Sequence, residues 1–247
     1  MALTSLGGIG LLALGGCSRT IDIGLPGNSQ PRPAPQQVVQ PSSPPAPEPV
    51  TTAAIPPDAD SYGLPARPEV MYGSLTDNGF AVPAVPAGQL KPKHLRRVVV
   101  DPTGEQPGTI VVHLRERHLY LVQENGDALR YGVSIGKEGF SWSGRAVVDH
   151  MRKWPTWTPP SEMIARRPEL EKYRGGQPGG PTNPLGARAL YIYKDGVDTL
   201  YRVHGTPEWR SIGKAASSGC VRMINQDVID LYERVKDKGK VPIVVVA

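Results

Sequence analysis

The chain has 247 residues, a net charge of +5 and two cysteines, and 16 of its 27 prolines fall in the first hundred positions. Two cysteines exclude a disulfide-stapled scaffold, and no Lys/Arg run with interleaved aromatics suggests a nucleic-acid partner. The uneven proline content predicts one globular domain of about 140 residues behind a long tail, a size that buries an adequate core; the positive charge reads as a solvated surface or as mild attraction to an anionic polymer or membrane.

Residues 1–17, MALTSLGGIGLLALGGC, form a small, apolar run that ends on a cysteine. It is too short to span a bilayer and has the apolar core and small-residue end of a secretory signal, although no Lys or Arg precedes it. Leu14-Gly15-Gly16-Cys17 resembles a bacterial lipobox, which makes Cys17 the expected lipidation site and membrane anchor. An ordinary signal peptide with a chance cysteine is the alternative. Ser18 after the cysteine, by analogy with envelope lipoproteins, points to the outer rather than the inner membrane. The expected location is therefore the periplasm.

Residues 18–100 are expected to be a disordered, proline-rich linker. Runs such as Pro41-Ser42-Ser43-Pro44-Pro45 make neither ladders nor helices, and favour extended polyproline conformation at roughly 3 Å per residue. Such an arm would let a tethered domain reach a distant polymer, or be a tail without that role. Residues 62–85 carry scattered Tyr, Phe and Met, which allow docking on the domain or on a partner.

From residue 109 the pattern becomes that of a folded domain. Thr109–Leu114 and His118–Val122 alternate as two strands of a hairpin, Asn125-Gly126 is a turn signal before Leu129–Ile135, and Arg145–His150 is a fourth strand. Ser161–Arg167 reads as a short helix stopped by Pro168, and residues 174–187 as a long, irregular loop of the kind that often carries function. Ala189–Tyr193 and Thr199–His204 flank an Asp195-Gly196 turn. Asn225 reads as the N-cap of a helix with Asp227 in its first turn and Val228, Leu231, Tyr232 and Val235 on one face; Gly239 fits its C-cap, and Val241–Val246 a last buried strand. Many short strands with one main helix predict a mostly-β sandwich or barrel.

Cys220 lies in Ser217-Ser218-Gly219-Cys220-Val221-Arg222, sixteen positions after His204-Gly205. With Cys17 in a signal, Cys220 has no internal disulfide partner. One reading is a free cysteine packed as a small hydrophobe. The other is a nucleophile: a thiolate is the reactive form, and a neighbouring imidazole can take the thiol proton. The small and polar neighbours argue against burial. Gly219 allows close backbone approach and a turn that aims N–H groups at an oxyanion, and Arg222 offers a fixed charge for a carboxylate. Ser217 is placed to bond within the site or to cap a turn. Arg202 shares a strand face with His204 and is a second carboxylate-holding candidate.

His204-Gly205-Thr206, then Ser217-Ser218-Gly219-Cys220-Val221-Arg222-Met223, followed by a helix and a Val-rich strand, resembles the L,D-transpeptidase catalytic domain (YkuD-like) family over roughly residues 105–247. The resemblance implies a peptidoglycan enzyme in which Cys220 attacks the diaminopimelate carbonyl of a donor tetrapeptide, D-alanine leaves and a 3–3 cross-link forms. It implies His204 as the base, the Gly205 carbonyl as its orienting group, and acylation of the same sulfur by carbapenems. The family's second histidine, just before the glycine, is Ser218 here. Transfer to water, transfer to a protein lysine, and a wall-binding lipoprotein with a degenerate site are the alternatives.

No cofactor is expected. No close-spaced His/Cys/Asp/Glu group reads as a zinc site, so the mechanism is expected to be metal-free. His113, His118 and His150 read as cross-strand or surface residues. Trp154 and Trp157 flank a proline near the presumed cleft and read as core, with groove lining as the alternative. The partners expected are peptidoglycan stem peptides and, through Cys17, a membrane; the protein is expected to be a monomer.

Overall fold

The computed structural model describes residues 67–136, 143–217 and 219–247, all within the compact unit that runs from Glu48 to Ala247. Cys17, the arm up to residue 66, Trp142 and Ser218 lie outside the described residues.

The strands are β1 (Leu75–Asp77), β2 (Phe80–Val82), β3 (Arg97–Val100), β4 (Ile110–His113), β5 (His118–Val122), β6 (Asp127–Gly136), β7 (Gly144–Lys153), β8 (Arg188–Lys194), β9 (Val197–Thr206), β10 (Ala215–Ser217), β11 (Val221–Ile224) and β12 (Val241–Val246). The helices are α1 (Pro68–Met71), α2 (Ser161–Arg166) and α3 (Asn225–Val235). β1 and β2 form a separate hairpin. The large sheet runs β6-β11-β9-β8-β7-β12-β4-β5, and β5 pairs back with β6, so that the sheet closes on itself. This is the mostly-β architecture with one main helix that the alternating apolar pattern predicts.

Alternation decides which side chains go inside. Leu129, Tyr131, Val133 and Ile135 of β6 point into the main core with Ile110, Val112, Leu119, Leu121, Ile243 and Val245. α3 covers this core with Val228, Leu231 and Val235, the face its 3.6-residue period presents. The opposite phase of β4, β5, β6 and β12 forms a second cluster, Val111, Tyr120, Ala128 and Val244, closed by Val99 of β3. β12 is therefore buried on both faces, which explains its unbroken valine run.

Two expectations are corrected. Asn225 is the first residue of α3 rather than its cap. The helix opens without a side-chain cap bond, and the Asn225 side-chain oxygen instead accepts the Ala187 N–H at 3.0 Å. The linker also ends well before residue 100. Tyr72, Val85, Ala87, Leu90 and Leu95 are buried against Ile212 and Ile224, and Val82 against Trp154 and Ala187. Short strands and 3₁₀ turns between prolines bring these isolated apolar residues onto the domain.

Polar contacts fix the same strap. Arg188, 1% exposed, donates both terminal nitrogens to Asp77 at 2.6 and 2.9 Å, and Trp154 donates to the same carboxylate at 2.7 Å. The Arg188 hydrogen bonds hold the Asp77 carboxyl below its ordinary range. Tyr72 donates to Asp227 at 3.2 Å. Burial pushes the Asp227 carboxyl up to about 7 against the Arg96 charge and the Tyr72 hydrogen bond. The Gln226 amide donates to Gly73 O and Pro83 O at 3.1 and 2.9 Å.

Each buried apolar side chain of the strap contributes roughly 1.5–3 kcal/mol, against a net stability of about 5–15 kcal/mol for a domain. A chain that begins at residue 67 is therefore expected to melt like the full-length protein. A chain that begins at residue 101 should lose at least about 10 °C in Tm or fail to fold. Thermal melting by circular dichroism checks this; a residue-101 chain melting within a few degrees of the full-length protein would show that the strap is dispensable.

Candidate active site

β9 and β11 run parallel, with Val203 opposite Val221, His204 opposite Arg222 and Gly205 opposite Met223. Alternation then puts Arg202, His204 and Arg222 on one face. Cys220 immediately precedes β11, and the Arg202 backbone N–H donates to its sulfur. The thiol therefore sits beside Arg202, diagonally one pleat from His204, a spacing of roughly 7–8 Å between backbones that side chains can bridge.

The turn before β11 depends on glycine. Gly219 has φ +125°, a conformation that L side chains rarely adopt, and a Cβ there would touch the Tyr201 ring at 3.4 Å. Ser217 lies in β10 opposite Gly136 of β6, so the loop carrying Cys220 is bounded by a strand on each side.

His204 is buried, and its Nδ1 is 2.6 Å from Gly205 O. A carbonyl only accepts, so Nδ1 carries the proton and Nε2 keeps the free lone pair. Gly205 is required for this contact. A Cβ there would press into the Asn225 side-chain oxygen and come within 3.0 Å of Ala187 N and Val228 Cγ1. Asn225 thus supports the segment that aims the imidazole, a role its position at a helix start disguises as capping.

Burial is the main cause that lowers His204 to about 4; the Arg222 and Arg202 charges add to it, and the Gly205 carbonyl opposes it. Burial also pushes the Cys220 thiol up, partly offset by the Arg202 N–H and the Arg202 and Arg222 charges. At neutral pH the resting pair is therefore thiol and neutral imidazole.

The two arginines are held differently. Arg202 donates to both oxygens of Asp198 at 2.7 and 2.8 Å, and its guanidinium lies 4.3 Å over the Tyr191 ring. The carboxylate it holds in the structure belongs to the chain itself. Arg222 donates to Glu208 at 3.1 Å; Glu208 is exposed on the strand-to-loop segment after β9.

Cys220, Gly219 and Arg202 open onto a groove of about 690 Å³ whose other walls include Trp157, Met163, Leu185, Tyr191, Leu200 and Tyr201. The segment between β7 and α2 supplies Trp157, α2 supplies Met163 and the 174–187 loop supplies Leu185, so these three pieces form a wall of the site. The two tryptophans divide: Trp157 lines the groove, while Trp154 packs on Phe80 at 4.6 Å in a small core. His113 and His118 face each other across β4 and β5, and His150 accepts from Arg152 at 2.8 Å on the surface. Among the described residues no group of three or more His, Cys, Asp or Glu could hold a metal ion.

The sequence model of YkuD, described as the L,D-transpeptidase catalytic domain, matches residues 107–243, more than half of the chain. The chain belongs to the YkuD family. It is 35% identical over 132 residues to "Probable L,D-transpeptidase YbiS" of Escherichia coli K12, a match covering 51% of this chain and 41% of that protein. The chain thus matches less than half the length of that relative. A solved Brucella melitensis protein, described as a probable carnitine operon oxidoreductase, is 46% identical over 59% of this chain and 91% of its own, with a TM-score of 0.44. The catalytic domain of an Enterococcus faecium L,D-transpeptidase is 16% identical over 57% of this chain and 98% of its own, with a TM-score of 0.38. The strap residues Tyr72, Asp77 and Arg96 all lie outside the YkuD match.

The neutral resting pair has a readable consequence. Iodoacetamide is expected to alkylate Cys220 slowly at pH 7, with a rate that climbs about tenfold per pH unit until the thiol titrates. His204→Ala should leave that profile nearly unchanged. Intact mass with peptide mapping measures it; fast alkylation already level by pH 6 would reveal a thiolate–imidazolium pair instead.

Proposed function

We propose that this YkuD-family chain is a peptidoglycan L,D-transpeptidase with Cys220 as nucleophile and His204 as base. The observation that carries the reading is the Nδ1 contact to Gly205 O. It leaves Nε2 as the proton acceptor on the face of the sheet whose groove opens at Cys220.

The donor is a tetrapeptide stem with its third residue, diaminopimelate, at the thiol. As the sulfur attacks the carbonyl carbon, the thiol proton passes to Nε2 and the carbonyl electrons move to oxygen. The turn that Gly219 makes offers backbone N–H groups to that oxyanion in this reading, where one donor is worth roughly 3 kcal/mol. Collapse breaks the C–N bond, and Nε2 returns its proton to the departing D-alanine amine. The thioester remains. The amine of a second stem's diaminopimelate then attacks it, giving a 3–3 cross-link and the free thiol. Arg222 is the group that positions the donor. Its charge disfavours protonation of His204 and supports the thiolate, and its carboxylate partner Glu208 is exposed and exchangeable.

In this reading the chain is an exported lipoprotein. Residues 1–17 are its signal, Cys17 carries the lipid, and the proline-rich arm spans from the outer membrane to the wall. The lipobox-like Leu14-Gly15-Gly16-Cys17 and the arm's composition support this.

Protein incubated with donor tetrapeptide is expected to gain the mass of an acyl group on Cys220. Cys220→Ala should abolish adduct and turnover, and His204→Ala should slow acylation at least about a hundredfold. Full activity in either variant sinks the mechanism, and wall digests unchanged by Cys220→Ala would favour a non-catalytic tether.

For the anchor, Cys17→Ser should move the full-length protein from the membrane fraction to the soluble periplasm. Membrane association that persists in that variant rules out lipidation at this residue.

A further inference from the structure

Between β8 and β9 the pairing slips. Tyr191 faces Arg202 and Tyr193 faces Asp198, so one residue of β8, Ile192, is opposite three of β9: Thr199, Leu200 and Tyr201. This bulge is tied down by its own short side chains. The Thr199 hydroxyl donates to Ile192 O at 2.6 Å, the Leu200 N–H donates to Asp198 at 2.9 Å, and the Tyr201 N–H donates to the Thr199 hydroxyl at 3.2 Å. The bulge sets the Tyr201 ring over Gly219 and feeds into Arg202, whose N–H reaches the Cys220 sulfur.

At its tip Leu200 takes φ +63°, the left-handed region that glycine or asparagine enters readily and leucine does not. The same side chain is 77% exposed, more than any other large apolar side chain among the described residues. Leu200 therefore combines an unfavourable backbone with an unburied side chain, two features that local stability alone would remove. It also lines the groove that holds Cys220, together with the apolar side chains of Met163, Leu185 and Trp157. Strain at a rim residue of a reactive groove is where backbone cost is offset by contact with a ligand.

We propose that Leu200 is a substrate-contacting, specificity-determining residue: it closes over an aliphatic stretch of the acyl-donor peptide and favours donors with bare methylene or methyl groups beside the scissile carbonyl. The inference rests on the thioester reading above and adds the residue that selects the donor. Arg202 and Tyr191 also line this groove and offer polar groups to the rest of such a peptide.

The test uses the full-length protein, the wild type beside Leu200→Asn and Leu200→Met. Donor tetrapeptide acylation is followed by intact mass over a concentration series, iodoacetamide alkylation of Cys220 serves as a probe that does not need the apolar wall, and Tm is recorded for each. Asparagine relieves the backbone and removes the apolar group, so Leu200→Asn is expected to raise Tm by about 2–4 °C. It should also lower the second-order acylation constant about tenfold through weaker donor binding, with alkylation unchanged. Leu200→Met should stay within about threefold of wild type. Acylation by Leu200→Asn at the wild-type rate overturns the proposal, as does an equal loss in both variants, and a lower Tm in Leu200→Asn overturns its premise of strain. A wild type that forms no adduct overturns the donor reading first, and this proposal with it.

Discussion

The site depends on a close approach that only glycine permits. Gly205 runs against the side chain of Asn225, and its carbonyl is the acceptor that fixes the His204 tautomer. Asn225 is itself held by the Ala187 N–H, so the end of the long loop, the end of β9 and the start of α3 meet at one side chain. Gly186 belongs to the same junction, since a Cβ there would also strike the Asn225 oxygen. Three segments far apart in sequence are thus brought together without a Cβ between them, and the imidazole inherits their rigidity. A larger residue at 205 would move the carbonyl, and with it the imidazole that the carbonyl orients.

The strap reaches the same junction from outside the family domain. Asp77 neutralises Arg188, the residue after Ala187, and Trp154 joins the same carboxylate from the end of β7. Arg188 is almost wholly buried, and an unpaired guanidinium there would carry a large desolvation cost. On the other side Gln226, next to Asn225, donates its amide to strap carbonyls. The segment before residue 101 therefore stabilises the two ends between which Asn225 sits. Its link to function is mechanical: it holds the backbone that orients His204.

How much of this was legible in the sequence follows from range. β4 to β9 and β12 announce themselves by local alternation and by Asn125-Gly126 and Asp195-Gly196, because period and turn chemistry are short-range properties. Cys220, His204 and Gly205 stand out by type and spacing. The strap was hardly legible, because its strands are only three or four residues long, most of its apolar residues are isolated between prolines, and its decisive bonds join residues such as Tyr72 and Asp227 that lie 155 positions apart. Asn225 was misread because an asparagine at a helix start has a common local use, whereas its partner here is 38 positions away. Leu200 carries no sequence signal at all: within Thr199–His204 it is one more strand residue, and only the slipped register reveals its conformation.

The resting electrostatics complete the argument for a guarded thiol. Burial disfavours both charged forms, so the proton stays on sulfur and the imidazole stays neutral. With the thiol raised above its ordinary value, less of it is thiolate at pH 7 than for an exposed cysteine, and oxidants and alkylating agents react with the thiolate. The cost is lower intrinsic reactivity; the gain is persistence of a lone thiol. In the mechanism proposed above, the charge separation that attack requires arises only when a carbonyl occupies the groove. On that proposal the oxyanion forms against backbone N–H groups while the Arg202 and Arg222 charges favour the thiolate. The same burial that suppresses the free thiol strengthens each of those interactions, because all of them act in the desolvated groove rather than in water.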